Sequence, residues 1–116
     1  MTQIDLINAY EQLEDLSKLK DFHAKEQWAL YGLRKELRSY VDFYQERMKA
    51  IVEKYKPFAD EQGIIKGQEY LDFMHEQEDL NKMEVEHINA IELPIVDGIT
   101  FLTMESLEGF VNFKEP

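Results

Sequence analysis

Cysteine is absent from the chain, which excludes disulfide frameworks, thiolate zinc sites and cysteine nucleophiles together. Glycine and proline are scarce, with five and three residues among 116, so turns should be few and elements long. No apolar run approaches the roughly 20 residues that a membrane-spanning helix needs. Residues 1–5 also lack the basic start and apolar core of a signal peptide. These absences predict a cytoplasmic protein without a membrane segment.

Basic residues are nearly missing from the second half. Residues 1–56 hold ten Lys or Arg against ten Asp or Glu, whereas residues 57–116 hold three Lys against fourteen Asp or Glu. The whole net charge of −11 therefore lies after residue 56. Direct binding to nucleic acid is disfavoured, because phosphates are neutralised by a basic surface. An acidic half can attract a basic partner or serve solubility alone, and the sequence leaves both open.

Hydrophobic residues make up 44% and aromatic residues 12% of the chain, which is typical of a folded domain rather than a disordered segment. The length favours one domain. We predict a single domain over 1–116, in which 1–56 forms a helical pair and 57–116 an acidic α+β part.

The first predicted helix lies at the start of the chain. It is predicted over about 3–16, with Thr2 as its N-cap. Its apolar residues recur at spacings of three and four: Leu6, Tyr10, Leu13 and Leu16.

The second predicted helix is much longer. Its apolar residues step by three or four without a miss: Leu30, Leu33, Leu37, Tyr40, Tyr44, Met48, Ile51 and Tyr55. They predict an uninterrupted helix over 21–56 that Pro57 ends. Such a helix is about 50 Å long, whereas a compact domain of this size is about 35 Å across. It must therefore project, bend at Gly32 or be covered by a partner, and we expect projection with self-association.

A third, shorter helix is predicted from Tyr70 to Met83, and its outer face is strongly acidic. Like charges at helical spacings repel, so this helix needs packing to hold it. The acidic residues on and just after it are Glu69, Asp72, Glu76, Glu78, Asp79, Glu84 and Glu86.

The end of the chain has a β pattern. Residues 84–88 and 91–95 alternate apolar and polar side chains, a turn is expected at 97–98, and 99–102 should return as the hairpin partner. Thr103 can cap a last helical turn. The predicted fold class is α+β and mostly helical: a long helical hairpin, a short acidic helix and a small C-terminal β-hairpin.

Several short segments together carry a resemblance. They are IVEKY at 51–55, GII at 63–65, EVEHI at 84–88, IEL at 91–93 and LEGFV at 107–111. In these segments the chain resembles small uncharacterised proteins of phages and prophages of Gram-positive bacteria. The family has no assigned activity, so the resemblance implies no functional residue. It implies a viral gene product in the host cytoplasm that contacts virion or host components.

The candidate chemical sites are weak. Asp72 with His75, and Glu84 with His87, have the carboxylate-x-x-His spacing of di-iron helical bundles. Only the first pair shares a helix face, because the second lies in a predicted strand. We favour a solvated acidic face with incidental histidines, and we expect no metal, no cofactor and no catalytic residue.

Aromatic and basic side chains alternate along the long helix. Tyrosines at helical spacing are usually core or interface residues, although stacking of nucleic-acid bases is an alternative where cations lie beside them. The cations could instead receive the acidic third helix of the same chain or of a neighbour, which we favour. The predicted interface residues are Trp28, Tyr31, Arg34, Lys35, Arg38, Tyr40 and Tyr44.

Two functions follow from these patterns. The first is a non-enzymatic phage interaction protein that uses its long helix for self-association or for docking a phage or host protein. The alternative is an acidic mimic of nucleic acid that occupies the basic groove of a host DNA-binding enzyme. The alternative requires a continuous strip of carboxylates at phosphate-like spacing.

Overall fold

The computed structural model describes residues 1–115, and its fold is α+β and mostly helical, as predicted. Four helices and two short strands follow one another along the chain. Their order is α1 (Gln3–Leu16), α2 (Ala24–Tyr55), α3 (Gln68–Lys82), β1 (Ile91–Pro94), α4 (Phe101–Ser106) and β2 (Val111–Lys114).

Helix α1 has the predicted bounds and the predicted cap. The Thr2 hydroxyl accepts a hydrogen bond from the backbone N–H of Asp5, and the Asp5 carboxylate accepts one from the N–H of Thr2. This reciprocal pair satisfies two N–H groups that a helix start would otherwise leave unpaired. The buried residues of α1 form one stripe: Gln3, Leu6, Ala9, Leu13 and Leu16.

Helix α2 is an unbroken rod of 32 residues. It passes straight through Gly32, so the hinge considered there is absent. It begins at Ala24, three residues later than predicted, and it ends in a single 3₁₀ turn, Lys56–Phe58, that contains Pro57. The molecule extends 54 × 28 × 20 Å with a radius of gyration of 17.7 Å, against about 13 Å for a compact chain of this length. The helix therefore projects.

Helices α1 and α3 lie end to end along α2 and bury different parts of it. The first part of α2 packs on α1 through Leu30, Leu33 and Leu37 in the main core, which β1, β2 and the segment after α4 complete. The projecting part packs on α3 in a distal cluster, where Ile51 and Tyr55 contact Leu80. Neither cluster extends along the whole of α2, but together they cover one side of it.

The C-terminal strands are parallel, so the predicted β-hairpin is wrong. β1 pairs with β2 in the register Ile91↔Val111 to Pro94↔Lys114. Residues 99–102 do not pair with β1, because the Thr100 hydroxyl accepts from the N–H of Thr103 and starts α4 there. Parallel strands need a crossover connection, and α4 with its flanking turns supplies it. Thr100, not Thr103, is the cap.

A further strand prediction fails. Residues 84–88 form no strand; Glu84 makes a single antiparallel bridge with Thr2, while Ile88 is buried in the main core. Residues 64–66 are irregular. The Asp60 carboxylate accepts the N–H groups of Gln62 and Ile64, which organises the turn around Gly63 instead.

Candidate interaction surface on the long helix

A groove between α1 and α2 collects most of the predicted interface residues. It has a volume of about 260 Å³ and is lined by Tyr10, Tyr31, Arg34, Lys35 and Arg38. The Trp28 ring stacks on that of Tyr31 with 5.7 Å between ring centroids and extends the lining by one helical turn. We call these six residues the cationic groove.

The helical repeat explains why these side chains share one side of α2. Tyr31, Lys35 and Arg38 are separated by four and three residues, so they lie one above another. The buried residues Leu30 and Leu33 occupy the neighbouring stripe that faces α1. The groove therefore runs along the border where α1 leaves α2 uncovered.

Tyr10 of α1 positions the arginines. The Arg38 guanidinium donates through Nη1 to the Tyr10 hydroxyl at 3.3 Å and through Nε to Asp42 Oδ1 at 3.4 Å. Hydrogen bonding with Tyr10, followed by the charges of Tyr10 and Asp42, raises the pKa of Arg38 above its ordinary value. The Arg34 guanidinium lies 5.8 Å from the centre of the Tyr10 ring, a cation–π contact.

The groove retains unused binding capacity. Trp28 is 75% and Tyr31 55% exposed. Neither Arg34 nor Lys35 forms an ion pair within residues 1–115. Cations with free donors beside exposed aromatic rings can bind carboxylates and stack on apolar or planar groups.

Two predicted interface residues lie elsewhere. Tyr40 is half-buried against the main core, and the Tyr44 hydroxyl donates to Asn81 Oδ1 of α3 at 2.6 Å. Both are packing residues, because α1 and α3 cover that stripe of α2. Tyr10, predicted as part of the apolar stripe of α1, packs against the main core, and its hydroxyl also contacts Arg38 in the groove. A tyrosine at the edge of a core directs its hydroxyl to a polar partner, and this hydroxyl is the one sequence signal that could have placed Tyr10 in the groove.

The predicted acidic face is divided by the structure. Glu69, Asp72, Glu76 and Asp79 lie on one flank of α3, because their spacings are three, four and three. We call these four residues the acidic stripe. Glu78 lies on another flank, and Glu84 and Glu86 follow the end of α3.

Three of the predicted acidic residues form ion pairs. Glu76 contacts Lys54 at 2.9 Å, Glu78 contacts Lys82 at 3.4 Å, and Glu84 contacts the amino group of residue 1 at 3.2 Å. Interaction with Tyr55, then with Lys54, lowers the pKa of Glu76. A continuous strip of free carboxylates, as nucleic-acid mimicry requires, is therefore interrupted.

The acidic stripe does not reach the cationic groove of its own chain. Helix α3 packs on the distal half of α2, where Glu76 contacts Lys54, while the groove lies at 28–38. The idea that Arg34, Lys35 and Arg38 receive α3 within one chain is wrong, because α1 occupies the first half of α2.

The histidine pairs build no metal centre among residues 1–115, where no three His, Cys, Asp or Glu side chains converge. In the same range, no helix is both long and apolar enough to span a bilayer.

Comparison with known proteins adds no relative. No family model, no curated protein and no solved structure matches the chain.

Proposed function

We propose that the chain is a non-enzymatic protein–protein interaction module that binds an acidic segment of a partner in the cationic groove. The observation that supports this proposal is the cationic groove, which places three cations and three aromatic rings on one surface of a protein whose net charge is −11. Aromatic residues and arginine are the side chains enriched in interface cores and among binding hot spots.

Electrostatics selects the kind of partner. Arg34 and Lys35 are not neutralised within residues 1–115, whereas the second half repels anions that approach from most other directions. A compact acidic segment can enter the groove while the rest of its protein stays away. A nucleic acid extends its phosphates well beyond three cations, whereas the exposed Asp42 and Glu46 follow Arg38 on this side of α2 at spacings of four and carry negative charge. In keeping with the resemblance to phage proteins, we propose a phage or host protein as the partner.

Trp28 is the only tryptophan of the chain, so tryptophan fluorescence reports binding in the cationic groove. The probe is a synthetic helical peptide of glutamate and alanine with one phenylalanine; a lysine-for-glutamate version and oligothymidine are the comparisons. We expect the glutamate peptide to change Trp28 fluorescence, and salt to reverse the change because it screens the charges.

Two variants of equal net charge test the location. The groove variant, R34E/K35E, should lose the response. The control variant, K49E/K56E, reverses two exposed lysines, one in the distal half of α2 and one in the turn that follows it, and should keep the response. No response in the wild-type protein, or a stronger response to oligothymidine than to the peptide, would overturn the proposal.

A further inference from the structure

We infer that the acidic segment bound by the cationic groove is the acidic stripe of a second copy of this chain, so that copies join head to tail. This inference rests on the proposed function and names its partner. It is carried by complementary charge, by a matching apolar hollow and by a geometry that forbids the same contact within one molecule.

The two surfaces match in charge and spacing. In the groove, Asp42 offsets one of three cations; on the stripe, Lys54 offsets one of four carboxylates. Both sets lie along one side of a helix at spacings of three and four, so the two helices can pair their charges in successive turns. Such an arrangement brings positive potential onto negative potential over several residues.

Beside the acidic stripe lies a partly apolar hollow, which the exposed aromatic rings of the cationic groove can enter in a contact between two copies. Glu76 and Asp79 border a hollow of about 220 Å³. Its other lining residues are the apolar Phe43, Ile51, Leu80 and Met83, together with Arg47. Phe43 is 41% and Met83 46% exposed. When cations meet carboxylates across the contact, this hollow is placed to receive Trp28 or Tyr31. An aromatic anchor in an apolar pocket, rimmed by charges, is the usual anatomy of a specific interface.

The contact cannot form within one chain. Glu76 is held at Lys54, which follows Arg38 by 16 residues. At about 1.5 Å per residue that separation is roughly 24 Å along α2. The side chain of Glu76 cannot span this distance. Asp79 lies nearer and borders a hollow that Arg47 also lines, but nine residues at about 100° each place Arg47 on the side of α2 opposite Arg38. The complementary surfaces are therefore left for another molecule.

The relative direction of the two surfaces selects the symmetry. At about 100° per residue, 16 residues place Lys54 nearly opposite Arg38 around the axis of α2. The groove therefore opens on one side of the rod and the stripe on the other. A two-fold dimer uses the same patch on both subunits, whereas a contact between different patches is heterologous and repeats into a ring or an open chain.

Sedimentation velocity over a concentration series tests this assembly. We expect the average mass of the wild-type protein to rise above the monomer mass of 13.8 kDa with concentration and to return to it at high salt. The groove variant and a stripe variant, D72K/D79K, should each remain monomeric. The control variant, K49E/K56E, and its counterpart E105K/E108K, which reverses two exposed carboxylates of the C-terminal part, should still assemble.

Mixing the two defective variants gives the decisive result. The stripe of the groove variant can enter the groove of the stripe variant, and the reversed groove, now acidic, can receive the reversed stripe, now basic. An equimolar mixture should therefore recover the concentration-dependent assembly of the wild-type protein, although each variant alone stays monomeric. A chain with all four reversals, R34E/K35E/D72K/D79K, should assemble with itself, which also shows that the substitutions leave the fold intact.

The outcomes separate this inference from the proposed function. A wild-type protein that stays monomeric while Trp28 still responds to the glutamate peptide overturns the head-to-tail contact and leaves the groove as a binding site for another protein. Assembly that the groove and stripe reversals do not disturb overturns it as well. A monomer whose Trp28 ignores the peptide overturns both proposals.

Discussion

The backbone N–H of Gln3 donates a 2.9 Å hydrogen bond to the carbonyl oxygen of Met83. The first residue of α1 is thereby joined to the residue that caps the end of α3. Helix starts leave N–H groups unpaired and helix ends leave carbonyl groups unpaired, and here each end satisfies the other. The N–H of Val85 also donates to the carbonyl of Met1 at 2.9 Å. These bonds let two separate helices act as one support along α2.

Replacing Gln3 by proline should weaken this junction. Proline removes the N–H, yet the first position of a helix accepts it, and Thr2 already has the extended backbone that precedes proline (φ −105°, ψ 166°). The control Gln3→Ala removes the buried side chain but keeps the N–H. We expect Gln3→Pro to be about 1 kcal/mol less stable than Gln3→Ala in chemical denaturation. Equal stability would show that the bond contributes nothing.

Removal of the Tyr44 hydroxyl should loosen α3 from α2. Tyr44→Phe deletes the 2.6 Å hydrogen bond to Asn81 and leaves the amide without that partner, at a cost of about 1 kcal/mol. Tyr40→Phe is the matched control, since Tyr40 is also half-buried on α2 and its hydroxyl makes no hydrogen bond within residues 1–115. Thermal melts should show a lower midpoint for Tyr44→Phe only. A similar loss in both variants would contradict the assigned role of the bond.

Two glycine-to-alanine changes should act in opposite directions. Gly98 has φ +96°, and a Cβ there would lie 2.9 Å from Leu19 Cδ2, so Gly98→Ala strains both the backbone and the contact and should destabilise by about 1 kcal/mol or more. Gly32 lies inside α2 with no atom within 4 Å of its Cβ position, so Gly32→Ala should stabilise by about 0.5–1 kcal/mol. Urea denaturation of both variants checks the signs. A destabilised Gly32→Ala would indicate a hinge at Gly32 after all.

The sequence predicted the helices well because their apolar residues repeat with the helical period and proline ends the longest one. It failed for the strands because alternation over four or five residues is also found in irregular segments that bury single side chains, as at Ile88. The parallel pairing could not be read from a turn signal at 97–98, since the same residues that favour a hairpin also precede a capped helix. Thr100 decides between the two, and its effect is visible only in the structure.

The candidate site was partly predictable for a similar reason. Periodicity places Tyr31, Lys35 and Arg38 on one side of α2, and the structure confirms that they share a surface. Helical periodicity alone does not show which stripe of α2 another helix covers. Tyr40 and Tyr44 were therefore wrongly predicted as interface residues. That choice depends on where α1 and α3 dock along α2.

The contact between α2 and α3 should weaken in acid through Glu76. Tyr55 and, next, Lys54 lower the pKa of this carboxyl from its ordinary value of 4.5. A carboxyl whose pKa is lowered by folding stabilises the native state above its unfolded pKa, and this contribution disappears as the pH falls through the folded pKa. Glu76→Gln should therefore remove part of the acid destabilisation below about pH 4.5, while Lys54→Gln should remove less of it, because Tyr55 remains. The effect is small, since Lys54 is 61% and Glu76 36% exposed and solvent screens the ion pair. Denaturation curves collected from pH 7 downwards decide the matter: parallel losses in the wild-type protein and Glu76→Gln would mean that another group carries the acid response.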